Sequence, residues 1–188
     1  MKQEELIKRL SHKQLLQALY QSQLLFLLIA LLLSYFFFER FSTWLHLFTF
    51  DLQEIVFYGV IPGIIVILYN LLLKYLLPKR VLDDGGLNEK LFKNSTLGEI
   101  FQISLLVSVC EEALFRGLLQ TKFGLVFASL TFAFIHFRYL KKPILLLSIT
   151  AISFYFGYLY FKTGNLLVTI VAHFVVDFVL GLLIRLEK

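Results

Sequence analysis

Long apolar runs separated by short polar stretches dominate the chain, and six of them predict membrane-spanning helices. A run of about 18 or more apolar residues can cross the hydrocarbon core of a bilayer as a helix. The six runs are Leu19–Phe38, Ile55–Leu73, Ile100–Leu119, Phe123–Phe137, Ile144–Phe161 and Leu166–Ile184. The fourth is short, about 15 residues, so we expect it to tilt little or to thin the bilayer locally. The pattern predicts an all-α, polytopic membrane helix bundle of about six transmembrane helices with a polar site in its core.

The composition of the chain agrees with a membrane-embedded protein. Hydrophobic residues make up 59% of the 188 positions and charged residues only 16%, whereas soluble domains have about 25% charged and 45–50% apolar residues. We expect one bundle in three parts. These are a polar or interfacial N-terminal segment (1–18), two membrane spans with a polar loop (19–96), and a four-span core that carries the candidate chemistry (97–188).

The Lys and Arg residues orient this bundle, because cytoplasmic loops of membrane proteins are enriched in them. If the N-terminus is cytoplasmic, 14 of the 18 Lys and Arg residues lie on that side, three lie on the other side, and Arg116 lies within a span. The bias predicts a multi-pass protein of the cell (plasma) membrane with cytoplasmic N- and C-termini. The same loops account for the net charge of +5, so the expected partner is the lipid bilayer and not a nucleic acid.

Ionisable residues inside the apolar runs are the candidate functional residues. They are Glu111, Glu112, Arg116, His136, His173 and Asp177. The first three lie in the third run, one lies in the fourth run, and two lie in the sixth run. A charge near the bilayer centre costs at least about 2.5–3.5 kcal/mol, and such residues usually face a protein interior or a water-filled cavity.

These side chains are predicted to lie at a common depth in the membrane. The loops after the third and fifth runs lie on one face, so depth can be measured from them at about 1.5 Å per helical residue. Glu111 then lies roughly 15 Å deep and His136 roughly 20 Å. His173 lies at roughly 13 Å and Asp177 at roughly 19 Å. Their agreement near the middle of a core about 30 Å thick indicates one shared site.

Helical spacing predicts different positions for the two adjacent glutamates. Residues four apart share a helix face, so Glu112 is expected to pair with Arg116. Glu111 points about 100° away from Glu112, which leaves it free to face a cavity and to act as a general base toward water. The structural alternative is that the Glu112–Arg116 pair only fixes helix packing, with the histidines serving as interhelical hydrogen-bond partners.

The same residues leave the use of a metal open. The candidate ligands of a divalent metal such as zinc, with water in the open position, are Glu111, His136, His173 and Asp177. Without a metal, His173 and Asp177 could polarise a carbonyl while Glu111 activates water. The helix-borne HExxH signature of zinc proteases is absent from the sequence, so both options stand.

Three motifs in successive runs resemble those of a known family. In order they are Glu111-Glu112-x-x-x-Arg116-Gly117, Phe132-x-x-x-His136 and His173-x-x-x-Asp177. They are similar to the EExxxR, FxxxH and HxxxN or HxxxD-like motifs of the CAAX protease and bacteriocin-processing (CPBP, or Abi) membrane endopeptidases. The resemblance covers about Leu97–Ile184, and Lys162–Leu166 also resembles a turn segment of that family.

The resemblance implies an intramembrane endopeptidase in which Glu111 activates the attacking water, with Glu112 and Arg116 alongside. It implies that His136 and His173 act as metal ligands or transition-state stabilisers. Asp177 departs from the Asn that is common in the family, and an ionised Asp cannot donate a hydrogen bond to an oxyanion. The compact size resembles bacterial members, which implies bacteriocin processing or self-immunity on a peptide or membrane-protein substrate.

Two other functions fit a polar cluster inside a membrane. A non-catalytic immunity or regulatory protein would bind a membrane partner and use the cluster only structurally. A small transporter or proton relay would use the buried carboxylates and histidines for transport. The transporter is disfavoured because the sequence has no internal repeat of the kind that many transporters have.

Overall fold

The computed structural model describes residues 9–187, and in this range the fold consists of helices and contains no strands. In chain order the helices are α1 (His12–Phe37), α2 (Thr43–His46), α3 (Leu52–Leu76), α4 (Lys79–Leu82), α5 (Leu87–Lys93), α6 (Leu97–Glu112, continued by a π-helical part, Ala113–Gln120), α7 (Thr121–Ile135), α8 (Pro143–Thr163) and α9 (Leu166–Leu186). The predicted all-α helix bundle is confirmed.

Side-chain caps explain where several helices begin. Ser11 accepts a hydrogen bond from the backbone N–H of Gln14, and the Gln14 side chain accepts one from the backbone N–H of Ser11. This reciprocal arrangement satisfies N–H groups that a helix start leaves unpaired. Helix α1 therefore begins at His12, and residues 12–18 form its first turns. The first eight residues of that predicted segment lie outside the described range.

The third and fourth predicted spans form a helical hairpin. Within the described residues, five helical stretches are long and apolar enough to cross a membrane, and one of them, Leu97–Ile135, has 39 residues. The backbone leaves the helical region at Gly124 (φ 84°, ψ 169°), a conformation open to glycine because it lacks a Cβ. The ring centroids of Phe115 and Phe132 lie 4.9 Å apart, whereas a straight helix would separate these residues by roughly 25 Å.

Five stretches are thus found where six spans were predicted. The third and fourth apolar runs form one helical stretch, which folds back on itself at Gly124. The second arm of the hairpin, α7, is only 15 residues long. This length agrees with the short fourth run in the sequence. The reversal brings the end of α6 alongside α7, so the residues of the first two motifs lie close together.

Helix α9 is the central element, packing against α3, α5, α6 and α8. Its close approach to α3 depends on two glycines four residues apart, Gly59 and Gly63. A Cβ at Gly59 would lie 3.1 Å from the carbonyl oxygen of Val168, and one at Gly63 would lie 3.0 Å from that of Ala172. Small residues at this spacing let membrane helices pack backbone to backbone.

The outer faces of the bundle are strongly apolar. Large apolar side chains that are well exposed include Tyr35, Phe36, Leu68, Leu72, Phe134, Leu147 and Phe161. A protein in water rarely exposes so much contiguous apolar surface. The chain is a multi-pass membrane protein, and these faces are suited to lipid.

Candidate active site

A cavity of about 660 Å³ lies inside the bundle. The predicted site residues that line it are Glu111, Arg116, His136, His173 and Asp177. They come from α6, the end of α7 and α9, so the structure brings together residues that are far apart in sequence. Glu112 does not line this cavity.

Glu112 is instead enclosed by positively charged and hydrogen-bonding groups. It has no exposed surface, and its Oε2 lies 3.3 Å from Nε of Arg116. Its Oε1 lies 2.9 Å from Nδ1 of His173. The pairing with Arg116 expected from the i, i+4 spacing is present, and it ties α6 to α9 through the histidine. Buried ions need such partners, since each unpaired charge would cost several kcal/mol.

Arg116 is held from three sides. Its Nη2 donates to the carbonyl oxygen of Ser153 at 3.1 Å and to the Ser153 hydroxyl at 3.2 Å. Its guanidinium lies 5.0 Å from the centroid of the Phe132 ring, an attractive arrangement for a cation. Arg116 therefore connects α6 with α7 and α8 while it balances the charge of Glu112.

The turn that carries Arg116 is π-helical, Ala113–Gln120. Such turns are rare and are often found at functional sites. The Thr121 hydroxyl donates to the carbonyl oxygen of Arg116 at 3.1 Å, and the backbone N–H of Thr121 donates to the same oxygen. The change of helix type begins directly after Glu112.

Glu111 lies beside this enclosed group and faces the cavity. Its residue exposure is 7%, and its Oε1 accepts a hydrogen bond of 3.0 Å from Nε2 of Gln23 on α1. It is close enough to His136, His173 and Asp177 to interact with them electrostatically. Because Gln23 occupies only one oxygen, the other is available to a molecule in the cavity.

His136 lies at the end of α7 with one ring nitrogen already engaged. Its Nδ1 lies 2.8 Å from the carbonyl oxygen of Phe132. A carbonyl only accepts hydrogen bonds, so Nδ1 carries the proton and a neutral ring keeps its Nε2 lone pair. The ring stacks on Tyr139, with centroids 6.0 Å apart, which restricts its orientation at the cavity wall.

His173 lies between two carboxylates. Its Nδ1 faces Glu112, and its Nε2 lies 3.5 Å from Oδ2 of Asp177. Because ionised carboxylates accept hydrogen bonds and cannot donate them, Nδ1 of His173 donates to Glu112, whereas the approach of Nε2 to Asp177 is an ion-pair contact. The side chain of Asp177 is 30% exposed, so this carboxylate borders the cavity while Glu112 does not.

Tyr139 adds a neutral hydroxyl to the cavity wall outside the membrane spans. Burial raises the pKa of this hydroxyl, and the neighbouring Arg138 acts in the opposite direction. Arg138 donates to the Tyr139 oxygen at 2.7 Å, so the hydroxyl proton stays free to be donated. Sequence reasoning did not single out Tyr139.

The four residues proposed as metal ligands do not form a coordination sphere. The described residues contain no group of three or more His, Cys, Asp or Glu side chains placed to hold a metal ion. Both nitrogens of His173 are directed at carboxylates, and Nδ1 of His136 is directed at a carbonyl. As placed, these residues do not fit a metal.

Sequence reasoning also missed residues that support the site. Gln23 lies within the first apolar run, where a polar side chain in a membrane span is itself an indication of a functional or structural role. Asn165 caps α9 by accepting from the backbone N–H of Leu167, and it donates to the carbonyl oxygen of Thr49 and to Glu54. Its place directly before an apolar run is a recognisable cap signal.

Comparisons with known proteins agree with this geometry. Residues 93–179 match the family described as Type II CAAX prenyl endopeptidase Rce1-like. Over 166 residues the chain is 43% identical to the "Uncharacterized protein YpbD" of Bacillus subtilis (strain 168), with 88% of each chain covered. The chain belongs to the Rce1-like family. No solved structure matches it.

The Rce1-like match covers α6 to most of α9 and includes every predicted site residue. It confirms the resemblance to the CAAX protease and bacteriocin-processing endopeptidases. Rce1-like membership assigns the chain to the CAAX-type intramembrane proteases, which are peptide hydrolases. Family membership and the membrane helices support a peptide as the substrate class and the lipid bilayer as the surroundings of the protein.

Proposed function

We propose that the protein is an intramembrane endopeptidase in which Glu111 activates water to hydrolyse a peptide bond of a membrane-associated protein or peptide. One observation carries the proposal. Of two adjacent buried glutamates, Glu112 is ion-paired with Arg116 and His173, whereas Glu111 lines the cavity with one oxygen that no described residue hydrogen-bonds.

The proposed reaction begins with a water molecule between Glu111 and the scissile carbonyl. Glu111 accepts a proton from this water while the water oxygen attacks the carbonyl carbon. The attack forms a tetrahedral intermediate with a negatively charged oxygen. The carbon–nitrogen bond then breaks, and the protonated Glu111 gives its proton to the leaving amine. The products are a new carboxyl terminus and a new amino terminus. A positioned base of this kind contributes about 10²–10⁴-fold to the rate.

The charged groups around the cavity are suited to stabilise the intermediate. His173 donates to Glu112 through Nδ1, so in its protonated form it can offer positive charge to the developing oxyanion. His136 can accept a hydrogen bond from the water through Nε2 and help to orient it. As an ionised acid, Asp177 offers the oxyanion no hydrogen-bond donor. Its role is therefore to hold His173 in place.

A divalent metal such as zinc is the alternative assistance for the same reaction. Its ligands would be Glu111, His136 through Nε2, His173 and Asp177, and His173 would first have to turn away from Glu112 or Asp177. We propose the metal-free route because it uses the hydrogen bonds that the side chains already make.

We further propose that the substrate reaches the site from the cytoplasmic face of the plasma membrane. The polar end of the cavity is lined by charged residues near the ends of α3, α5 and α9, among them Lys74, Lys93 and Glu187. The distribution of Lys and Arg predicts that these helix ends are cytoplasmic. The relative from Bacillus subtilis is consistent with a bacterial protein, for which bacteriocin processing or self-immunity is the proposed role.

Purified protein in detergent provides the test. A panel of quenched-fluorescent peptides would include one with a farnesylated cysteine near its C-terminus and one anchored by an apolar transmembrane segment. We expect wild type to cleave at least one peptide and Glu111→Gln to accumulate normally but not to cleave it. Glu39→Gln, the same change at an exposed position, is the matched control. A Glu111→Gln variant that cleaves as fast as wild type would refute the proposed base. A non-catalytic immunity or regulatory protein would cleave no peptide, and its cellular phenotype would survive Glu111→Gln.

A further inference from the structure

Gln23 makes the single hydrogen bond that the described structure gives to Glu111. Its Nε2 lies 3.0 Å from Oε1 of Glu111, across 88 positions of sequence. Gln23 is 5% exposed and lies on α1, outside residues 93–179 that match the Rce1-like family. A buried amide in an otherwise apolar helix costs free energy unless a hydrogen bond compensates it.

A second cavity lies on the side of Glu111 that faces Gln23. This smaller cavity, about 290 Å³, is lined by Gln23 and Glu111 but not by His136 or His173. The larger cavity is lined by Glu111 and both histidines but not by Gln23. Glu111 therefore lies between the two cavities, with Gln23 on one side and the histidines on the other.

We propose that Gln23 is a positioning residue that holds one carboxylate oxygen of Glu111 and thereby aims the other at the cavity that contains the histidines. The inference rests on the proposed function of Glu111. A carboxylate at the end of a flexible side chain has several orientations, and misplacement of a reacting group by about 1 Å can cost 10²-fold in rate. The amide of Gln23 restricts those orientations without contacting the reacting atoms.

The proposal assigns a role to α1. Helix α1 packs along both the α-helical and the π-helical parts of α6, so it presents Gln23 at the level of the adjacent glutamates. The site is then completed by a helix that precedes the matched family region. Replacement of Gln23 on α1 is expected to impair the reaction although the residues of the three family motifs are unchanged.

The test compares three changes in the full-length protein. Gln23→Met keeps the length of the side chain but removes the donor. Gln23→His places a ring N–H at a similar reach and should restore the contact. Gln21→Met is the matched control on the exposed face of the same helix. Each variant is assayed for kcat and KM with the peptide of the panel that wild type cleaves fastest, and melting temperature checks that it is folded.

We expect Gln23→Met to lower kcat roughly tenfold, the loss associated with a hydrogen bond to a charged group, with KM within about twofold of wild type. Gln23→His should recover most of kcat, and Gln21→Met should behave as wild type. A wild-type kcat in Gln23→Met would overturn the proposal, as would an equal loss in Gln23→His. If Gln23→Met is not folded, Gln23→Leu also removes the donor and carries the same expectation.

Infrared spectroscopy gives a readout that does not depend on cleavage. The difference between the spectra of wild type and Glu111→Gln isolates the carboxyl band of Glu111. This band should shift in Gln23→Met and stay in place in Gln21→Met, and an unshifted band in Gln23→Met would overturn the inference. Full cleavage by Glu111→Gln would instead refute the base assignment, so the two failures are distinguishable.

Discussion

The two sides of helix α6 at Glu111 and Glu112 differ in how completely their charges are paired. On one side, Glu112 has no exposed surface and contacts Arg116 and His173. On the other side, Glu111 borders two cavities and has one hydrogen bond, from Gln23. Adjacent helical residues point about 100° apart, so one turn of helix can carry a closed ion pair and an open carboxylate together.

The difference shows how a membrane protein can hold a reactive acid in its interior. The closed side supplies rigidity, because Glu112, Arg116 and His173 link α6 to α9 and, through Ser153, to α8. The open side supplies chemistry, because Glu111 can exchange a proton with water. We therefore expect changes on the open side to affect the reaction and changes on the closed side to affect stability.

The largest expected effect is on the open side. Glu111→Gln should lower the cleavage rate by about 10²–10⁴-fold, since a general base contributes about that much. Its free energy of unfolding should stay near that of wild type, because Gln keeps the size of Glu. Cleavage kinetics and unfolding by titration with sodium dodecyl sulfate measure the two quantities. A variant that is unfolded and inactive would contradict the separation of roles.

On the closed side, Glu112→Gln should destabilise the fold by about 3–5 kcal/mol, because it leaves the buried charge of Arg116 unbalanced. The same unfolding titration measures this change, with Glu39→Gln as the exposed control. The folded fraction should keep measurable cleavage. Unchanged stability together with lost cleavage would mean that Glu112 acts in the chemistry.

The next largest effect is expected on stability, from the packing of α3 against α9. Gly63→Ala should lower the free energy of unfolding by about 1–3 kcal/mol, the usual cost of overpacking, because the new Cβ would meet the Ala172 carbonyl at 3.0 Å. Gly98→Ala on α6 is the control, since nothing lies within 4 Å of the Cβ it would add. Equal stability of the two variants would show that α3 can move away from α9 freely.

A smaller effect is expected at the boundary of the two sides. Asp177→Asn should keep cleavage within a few-fold of wild type, because Asn can still contact His173 and can also donate to an oxyanion. Steady-state kinetics of this variant measure the effect. A loss as large as that of Glu111→Gln would indicate that the charge of Asp177 is required.

The smallest effect is expected from removing metals. We expect 1,10-phenanthroline or EDTA to leave the cleavage rate unchanged, because His173 is engaged with carboxylates and the described residues include no group of three or more side chains placed to hold a metal. Metal content of the purified protein is measured in parallel. Lost cleavage that returns on addition of zinc would show that His173 changes partners to bind a metal.

The sequence predicted most of the fold and the members of the candidate site, but not its connections. Apolar runs identify membrane helices directly, because crossing a bilayer requires length and apolarity. The i, i+4 spacing was sufficient for the Glu112–Arg116 pair. The contact between His173 and Glu112 joins residues 61 positions apart, and no local spacing predicts which of two glutamates a distant histidine meets.

The sequence alone determined that this chain crosses the membrane repeatedly, and it predicts that the few ionisable residues within the spans share one depth, because hydropathy and helical rise are local properties. Only the tertiary structure decided that Gly124 reverses the chain, that Gln23 from α1 contacts Glu111, and that the histidines face oxygen atoms. These outcomes depend on packing between distant segments. A carboxylate becomes paired or open according to which helices enclose it.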